Sequence, residues 1–427
     1  MKEYLDVDVY NASLERIKYI FDKFEQVVVS FSGGKDSGII LNMALEYAKE
    51  HSILDKLSVY HMDYEAQYQM TTDYVTRTFE SLPAEVKQYW VCLPIKAQCA
   101  TSMYQNHWRP WLFDDKKIWC RELPTNCINE DNYPFSFDYN TWDYEFNLNL
   151  GKELSKDKKT AFIIGIRAQE SLNRFRAVAR DDINRLDGKN WTVKVTDSLY
   201  NVYPIYDWET EDVWIANAKF GWDYNKLYDL YYQAGLTIHQ MRVASPFNDC
   251  AMDSLKLYKA IDPNNWGKMV GRVNGVNFAG LYGGTTAMGW RSIELPKGHT
   301  WESYMYFLLS TLPTETKAMY LEKLSTSIKF WRERGGVLSD EVIEKLKEEG
   351  VDLEVGCKSN YNTDKKPVRM DYLDDTDIAE FNLIPSYKRM CICIMKNDHL
   401  CKYMGFSQTK AERAQRKKII NKYKNLL

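Results

Sequence analysis

The sequence predicts an α/β fold with a mainly parallel sheet, an aromatic insertion and a helical C-terminal region. A hydrophobic segment, Val27–Phe31, leads through a turn with two glycines into an apolar helical segment, Ile39–Lys49. A second hydrophobic segment follows at Leu57–Met62. This strand–turn–helix–strand order implies parallel strands, and the same alternation returns between residues 160 and 220.

The other elements can be placed in chain order around this unit. A helix is expected before the first strand, over Leu14–Phe24. Residues 90–150 are rich in Trp, Tyr and Pro with little periodicity, which is typical of an insertion packed by aromatic side chains. The second alternation predicts strand Ala161–Ile166, an arginine-rich helix to Arg180, strand Asn201–Ile205 and helix Glu209–Lys219.

Length and composition fit a globular protein of two or three domains. The chain has 427 residues, of which 27% are charged and 45% hydrophobic, with a net charge of −3. These values exclude a disordered acidic tail, a collagen-like repeat and a disulfide-stapled miniprotein. We predict an α/β domain over residues 1–220, a mostly helical region over 221–350 and a C-terminal segment over 351–427.

No membrane span or export signal is predicted. The first ten residues lack the apolar run of a secretory signal. The longest uncharged stretch, Val273–Trp290, contains five glycines and two asparagines, so it predicts a turn-rich loop rather than a spanning helix. Nine cysteines in a long chain without such a signal indicate reduced thiols and a cytoplasmic protein.

The strongest local signal follows the first strand, in the string Ser32-Gly33-Gly34-Lys35-Asp36-Ser37. Glycines let backbone N–H groups approach phosphate oxygens, and the following helix adds partial positive charge at its N-terminus. Ser32 and Ser37 can donate hydroxyl hydrogen bonds, and Lys35 supplies a full charge. The alternative is an ordinary strand-to-helix turn. The string lacks the Walker spacing, so chemistry at a γ-phosphate is not indicated.

Two further segments supply candidate site residues. Asp63 ends the second strand, where open α/β sheets bind ligands, although such a residue also caps turns. The segment Ile163–Arg174 offers Gly165 for close backbone approach, and two arginines whose planar guanidinium groups suit phosphate or sulfate. These candidates are Gly165, Arg167, Glu170, Ser171 and Arg174. Glu170 and Arg174 are spaced i,i+4 and also fit a surface ion pair.

Together with Tyr203–Trp214, these strings resemble the signature of the PP-loop ATP pyrophosphatase superfamily, and within it the phosphoadenosine phosphosulfate (PAPS) reductase-like branch. The resemblance implies an adenine nucleotide alpha hydrolase-like fold, with Trp214 in the core. It implies ATP or PAPS held by its phosphates over the loop, with Asp63 near adenosine and Asp36 as a ligand for Mg²⁺. Lys35, Arg167 and Arg174 are then the catalytic candidates.

The same resemblance implies two possible reactions, and a function without catalysis is also open. ATP would be cleaved between its α and β phosphates with adenylyl transfer, whereas PAPS would give sulfonyl transfer to a thiol. Classical reductases carry the string Glu-Cys-Gly-Leu-His near the C-terminus, and this chain has none. A regulatory protein that binds nucleotide without turnover is therefore the alternative.

The C-terminal segment contains a cysteine cluster made of Cys391, Cys393, His399 and Cys401. Three sulfurs and an imidazole could bind zinc, but the alternating Cys-Ile-Cys-Ile also fits a strand with buried thiols, and a functional thiol is a third possibility. The surrounding strings resemble the IbrA-like subgroup. That resemblance implies a co-activator that works with a ParB/sulfiredoxin-like partner protein.

The last nineteen residues form a basic segment. Seven Lys and Arg side chains against Glu412 give residues 409–427 a net charge of +6, which leaves −9 for the rest of the chain. Such a run is usually a solvated helix face, and the alternative is docking onto nucleic acid or an acidic partner. Nucleic acid is not indicated for the body of the protein.

Overall fold

A computed structural model describes residues 6–179, 184–248, 251–282, 293–357 and 365–406. The chain divides into two compact units, and their limits differ from the predicted domain limits. Unit 1 comprises residues 1–98 and 107–273, and unit 2 comprises residues 99–106 and 274–427. Unit 1 therefore continues well beyond residue 220.

Unit 1 is built on a six-stranded sheet in the order β3-β2-β1-β6-β8-β7. Its neighbouring strands are parallel except β7, which runs antiparallel to β8 at the edge. The strands of this unit, including a separate hairpin of β4 and β5, are β1 Gln26–Ser30, β2 Leu57–Met62, β3 Lys87–Val91, β4 Ala97–Gln98, β5 His107–Trp108, β6 Thr160–Ile163, β7 Thr192–Lys194 and β8 Leu199–Val202. The predicted α/β fold with a mainly parallel sheet is confirmed.

The order in which strands are added to the sheet reverses between β1 and β6. From β1 the chain proceeds outward to β2 and β3, then returns to β6 on the other side of β1. In register, Val27 pairs with Leu57 on one side and with Ala161 on the other. This is a topological switch point, where the carboxyl ends of two adjacent strands leave a crevice.

Helices cover the sheet because each has one apolar face. Helix α1 starts at Asp8, whose carboxylate accepts from Asn11 N–H at 2.8 Å, and it buries Ile17 and Phe21 in the main core. The helices of unit 1 are α1 Val9–Lys23, α2 Lys35–Glu50, α3 Gln69–Glu80, α4 Asp143–Leu154, α5 Leu172–Ala179, α6 Thr210–Phe220, α7 Leu227–Gln233, α8 Met252–Leu255, α9 Tyr258–Ile261 and α10 Pro263–Arg272.

Two details of unit 1 differ from the sequence predictions. The last parallel strand is Leu199–Val202 rather than Asn201–Ile205, because Pro204 cannot donate a hydrogen bond to a strand ladder. Trp214 is only half-buried and makes T-shaped contacts with Tyr224 and Tyr228. The core tryptophan of this segment is Trp208, whose indole N–H donates to Ser13 Oγ at 2.8 Å.

Unit 2 combines helices with a small antiparallel sheet in the order β10-β11-β9. Its elements are α11 Val276–Tyr282, α12 Trp301–Ser310, α13 Thr314–Glu333, β9 Gly336–Leu338, α14 Asp340–Glu348, β10 Leu353–Val355, β11 Lys366–Met370 and α15 Tyr387–Met395. One core gathers around α12, α13 and α15, and a second lies between α14 and the sheet.

Unit 2 corrects two predictions. The Cys391-Ile392-Cys393 string lies in α15 rather than in a strand, because Ser386 caps a helix by accepting from Arg389 N–H and every residue from Met390 to Ile394 is buried. The uncharged stretch after Val273 is not all loop, since it contains α11. None of the helices in the described ranges is long and apolar enough to cross a membrane. The basic segment 409–427 lies outside the described residues.

Candidate functional site

The loop after β1 has a fixed, glycine-dependent shape. Gly33 adopts φ +75°, and a Cβ there would lie 3.0 Å from Val75 Cγ2, so both conformation and space favour glycine. Ser37 Oγ donates to Gly34 O at 3.0 Å and accepts from Ser32 N–H at 3.1 Å. The Ser32 hydroxyl lies 3.1 Å from the Ser37 hydroxyl. The two serines therefore hold the loop closed over the first turn of α2.

The first turn of α2 presents backbone N–H groups. Lys35 N–H donates to the Tyr228 hydroxyl at 3.0 Å. Within the described part of the chain, no acceptor receives the N–H groups of Asp36 and Ser37, as is usual for the first turn of a helix. A Cβ on Gly165 would lie 3.3 Å from Ser37 N, so glycine there keeps that N–H uncovered.

An alternating chain of charges links the loop to the segment after β6. Lys35 Nζ contacts Asp36 at 3.0 Å, and the other Asp36 oxygen accepts from Arg167 Nε at 2.6 Å. Arg167 continues to Glu170 at 3.1 Å, and Glu170 pairs with Arg174. Thus β1 and β6, adjacent at the switch point, bring all of these predicted residues together.

Lys35 belongs to the loop itself, and its buried surroundings shift the pKa of its ammonium group. Its side chain is 6% exposed. Burial lowers the pKa of the Lys35 ammonium group, Asp36 opposes the shift, and Arg167 adds to it. Lys35 can therefore lose its proton at a lower pH than an exposed lysine.

The two arginines occupy different environments. Arg167 is 1% exposed, and its remaining donors reach Thr210 Oγ1 at 3.2 Å and Gln169 Oε1 at 3.3 Å. Its guanidinium group therefore orients Asp36 and the segment after β6, and its donors are already engaged within the protein. Arg174 has a side chain that is 43% exposed, and its backbone N–H donates to Ser171 Oγ at 3.3 Å at the start of α5.

Asp63 lies deep in the protein and makes its contacts with the aromatic insertion. Its carboxylate is wholly buried, pairs with Arg121 and accepts from the Trp90 indole N–H at 2.8 Å. Burial alone would raise the pKa of Asp63, but Arg121, His61 and the hydrogen bonds outweigh it and lower that pKa. The placement of Asp63 near adenosine stays a prediction.

Glu65 repeats this arrangement two residues later. It is wholly buried, accepts from the N–H groups of Trp111 and Cys120 at 2.8 and 2.9 Å, and binds Arg272 at 2.9 Å. Arg272 also reaches Asp115 at 2.8 Å. The end of β2 therefore anchors the insertion through two buried carboxylates.

The contacts of Asp36 bear on the predicted Mg²⁺ site. Both oxygens of Asp36 already face cations, Lys35 and Arg167, so Asp36 as placed does not fit a direct Mg²⁺ ligand. In the ranges that the structure describes, no group of three or more His, Cys, Asp or Glu side chains is arranged to hold a metal ion.

Two of the four predicted zinc ligands, the buried Cys393 and Cys401, lie within hydrogen-bonding distance of each other, and the other two face different partners. Cys391 Sγ points to Trp301 O at 3.5 Å, Cys393 Sγ to Asp398 at 3.6 Å, and His399 Nε2 lies 2.9 Å from Ser102 O. Burial raises the pKa of the Cys391 thiol to about 12 and also raises that of Cys393. These thiols resemble core residues rather than metal ligands.

The structure adds loop contacts that sequence reasoning missed. Asn225 Nδ2 donates to Gly33 O at 3.0 Å and to Thr71 Oγ1 at 2.9 Å, and it is fully buried. Tyr228, one turn later, reaches Lys35 N–H. Their segment has no motif, and with 30 tyrosines in the chain a single Tyr carries no signal.

The fold and site define an α/β protein with a glycine loop at the switch point of a parallel sheet, the place where doubly wound proteins bind ligands. Residues 26–234 match the phosphoadenosine phosphosulfate reductase domain, and residues 235–415 match a domain of unknown function, DUF3440. The chain belongs to the family of the uncharacterized protein YbdN of Escherichia coli (strain K12). The two are 32% identical over 417 residues, which cover 96% of this chain and 94% of YbdN.

The comparison with solved structures finds similarity to several nucleotide-utilising proteins. An FMN adenylyltransferase from Candida glabrata is 15% identical (TM-score 0.30, 53% of this chain), and the match spans 62% of that enzyme, under two thirds of its length. A PAPS reductase from Candida auris is 13% identical (TM-score 0.28, 54% and 93% of the two chains). An NH3-dependent NAD synthetase from Campylobacter jejuni subsp. jejuni NCTC 11168 is 12% identical (TM-score 0.28, 68% and 100%).

Proposed function

We propose that unit 1 binds an adenine nucleotide, ATP or PAPS, by its phosphates at the loop after β1. The observation that carries this proposal is the first turn of α2, where no acceptor among the residues that the structure describes receives the N–H groups of Asp36 and Ser37, beside the buried Lys35. Helix N-termini with a nearby cation bind phosphate, and the PAPS reductase domain match supports the same class of ligand.

The reaction that best fits the site is adenylyl transfer from ATP. An acceptor attacks the α-phosphorus, the bond between the α-phosphorus and the bridging oxygen breaks, and pyrophosphate leaves. Lys35 and the loop amides would stabilise negative charge on the phosphates, since preorganised donors act strongly where charge develops. Arg167 would act indirectly, by holding Asp36 against Lys35.

Sulfonyl transfer from PAPS is less well supported. It needs a thiolate nucleophile, and burial keeps Cys391 and Cys393 protonated near neutral pH. A PAPS reaction would therefore need a thiol other than Cys391 and Cys393 as acceptor. That requirement separates this chain from reductases that use a C-terminal cysteine of their own.

A second candidate is nucleotide binding without turnover, with output through a partner such as a ParB/sulfiredoxin-like protein. One observation favours it: Arg167, predicted to stabilise the leaving group, has its donors engaged by Asp36, Glu170, Gln169 and Thr210. A site with fewer free cations binds phosphate but supplies less stabilisation to a transition state.

The full chain incubated with α-labelled ATP distinguishes these candidates. Adenylyl transfer predicts labelled AMP, free or attached to an acceptor, together with pyrophosphate. Tight binding with no AMP or pyrophosphate would leave the regulatory candidate. PAPS with an added thiol tests the remaining route, and unchanged PAPS would exclude it. Lys35→Ala should weaken nucleotide binding by roughly tenfold to a hundredfold, the effect of losing a charge-assisted hydrogen bond.

A further inference from the structure

We propose that Tyr228 is a direct phosphate-binding residue, whose hydroxyl extends the row of donors formed by the first turn of α2. This inference rests on the proposed function and adds to the loop a residue from α7, which follows α6 in the chain. The Tyr228 oxygen accepts from Lys35 N–H at 3.0 Å, so it stands where the helix would otherwise offer that amide to a ligand.

The Tyr228 hydroxyl is buried at the loop with an unused proton. Tyr228 is 3% exposed, and a Cβ on Gly34 would lie 3.4 Å from its oxygen. In the described part of the chain no acceptor receives its proton. A buried hydroxyl proton without an acceptor is costly, and an anion on the neighbouring amides would supply one.

The electrostatic surroundings keep this hydroxyl a donor. Burial raises the pKa of Tyr228, and the charge of Asp36 raises it further, so the phenol stays neutral throughout the physiological range. The Lys35 ammonium lies 5.8 Å from the centre of the Tyr228 ring. An anion bound to the N–H groups of Asp36 and Ser37 would therefore have the Tyr228 O–H and the Lys35 ammonium as further donors nearby.

The position of Tyr228 is fixed by the buried residues that precede it at the start of α7. Asn225 ties the start of α7 to the loop through Gly33 O, and its Oδ1 accepts from Leu227 N–H at 3.0 Å. Because Asn225 and Leu227 are fully buried, the hydroxyl is held in place before any ligand arrives. Preorganised donors lose little entropy on binding.

The test is Tyr228→Phe, which keeps the ring and removes the hydroxyl. We expect the affinities for ATP and for inorganic tripolyphosphate, measured by calorimetry on the full chain, to fall by a similar factor of roughly tenfold to a hundredfold. Affinity for adenosine, which has no phosphate, should change by less than about twofold. A purely structural loss would instead weaken the binding of all three probes.

The matched control is Tyr231→Phe, on the same helix. Tyr231 is 1% exposed, and its hydroxyl contacts Arg242 O rather than the loop. It should leave tripolyphosphate binding within about twofold. If Tyr228→Phe does not fold, 4-aminophenylalanine at 228 keeps a donor and should bind like the unmodified chain.

Each outcome decides a different point. Unchanged tripolyphosphate affinity in Tyr228→Phe would overturn this inference while leaving the proposed function intact. Equal losses for Tyr228→Phe and Tyr231→Phe, or a 4-aminophenylalanine variant that folds without binding, would also overturn it. Failure of the unmodified chain to bind ATP, PAPS or tripolyphosphate would overturn the proposed function, and this inference with it.

Discussion

At the residue scale, the protonation of Lys35 should control phosphate binding. Burial lowers the pKa of Lys35, so the ammonium is lost at a lower pH than that of an exposed lysine. An anion binds the protonated form, and affinity should therefore fall as pH rises through the lowered pKa, by at most about tenfold per pH unit. Calorimetric titration with tripolyphosphate between pH 7 and pH 10 measures this dependence.

The control for this pH effect is Lys35→Arg. A guanidinium keeps its charge across the whole range, so binding by this variant should not fall as pH rises. A parallel decline in both proteins would contradict the role given to Lys35, because the titrating group would then lie elsewhere.

The two arginines of the β6 loop should respond differently to conservative replacement. Arg167→Lys removes the fork that reaches Asp36, Thr210 and Glu170, and we expect it to lower the free energy of unfolding by about 1–3 kcal/mol. Arg174→Lys should change it by less than about 0.5 kcal/mol, because that side chain is 43% exposed. Urea unfolding measures both free energies. Equal losses in the two variants would contradict the structural role given to Arg167.

At the element scale, the carboxyl end of β2 holds the aromatic insertion through buried ion pairs. Glu65→Gln keeps the shape of the side chain but leaves Arg272 with a neutral partner and turns an amide N–H₂ toward backbone donors. Breaking a buried pair on one side costs about 3–5 kcal/mol. We expect unit 1 to unfold at correspondingly lower urea concentration.

An exposed ion pair of the same unit provides the comparison. Asp223 and Arg77 are paired at 2.6 Å, with side chains 51% and 40% exposed. Asp223→Asn should cost less than about 1 kcal/mol. A Glu65→Gln variant no less stable than Asp223→Asn would show that the insertion is held by its aromatic packing alone.

The elements around the loop were predictable because their signals are local. The hydrophobic run of β1, the paired glycines and the apolar face of α2 occupy one short stretch of sequence, and the segment after β6 carries Gly165 and two arginines. Tyr228 and Asn225 were not predictable, since they contact Lys35 and Gly33 across more than 190 residues and no pattern marks them.

One pattern was misread for a physical reason. In Cys391–Ile394, the alternation of residue types suggested a strand, but all four side chains are buried, so a period of two could not mark a buried and an exposed face. The contacts of Asp63 could not be predicted from the sequence, because its ion-pair partner Arg121 lies 58 residues away in the insertion and has no sequence signature.

At the scale of the whole molecule, buried histidines should make the protein sensitive to mild acid. Burial lowers the pKa of His61 and of His399, and it lowers the pKa of His107 to about 4. His61 and His107 belong to unit 1, and His399 belongs to unit 2. Each unit therefore contains a group that the folded state keeps neutral.

The sign of the effect follows from proton linkage. A lowered pKa means that the unfolded chain takes up the proton near pH 6.5 while the folded chain does not, so stability is complete above that value and falls as pH decreases. For the fully buried His61 the loss reaches at most about 2 kcal/mol at pH 5. Urea midpoints measured from pH 7.5 to pH 5 should decline steadily.

One pair of variants assigns this decline to His61. His61 Nδ1 lies 2.8 Å from Phe31 O, and because a carbonyl only accepts, the neutral tautomer carries its proton on Nδ1. In His61→Gln the amide can donate to the same carbonyl without titrating, so the stability of unit 1 should depend less on pH between 7.5 and 5. His51→Gln, an exposed position, should keep the full dependence. Identical pH profiles for all three proteins would place the acid sensitivity outside His61.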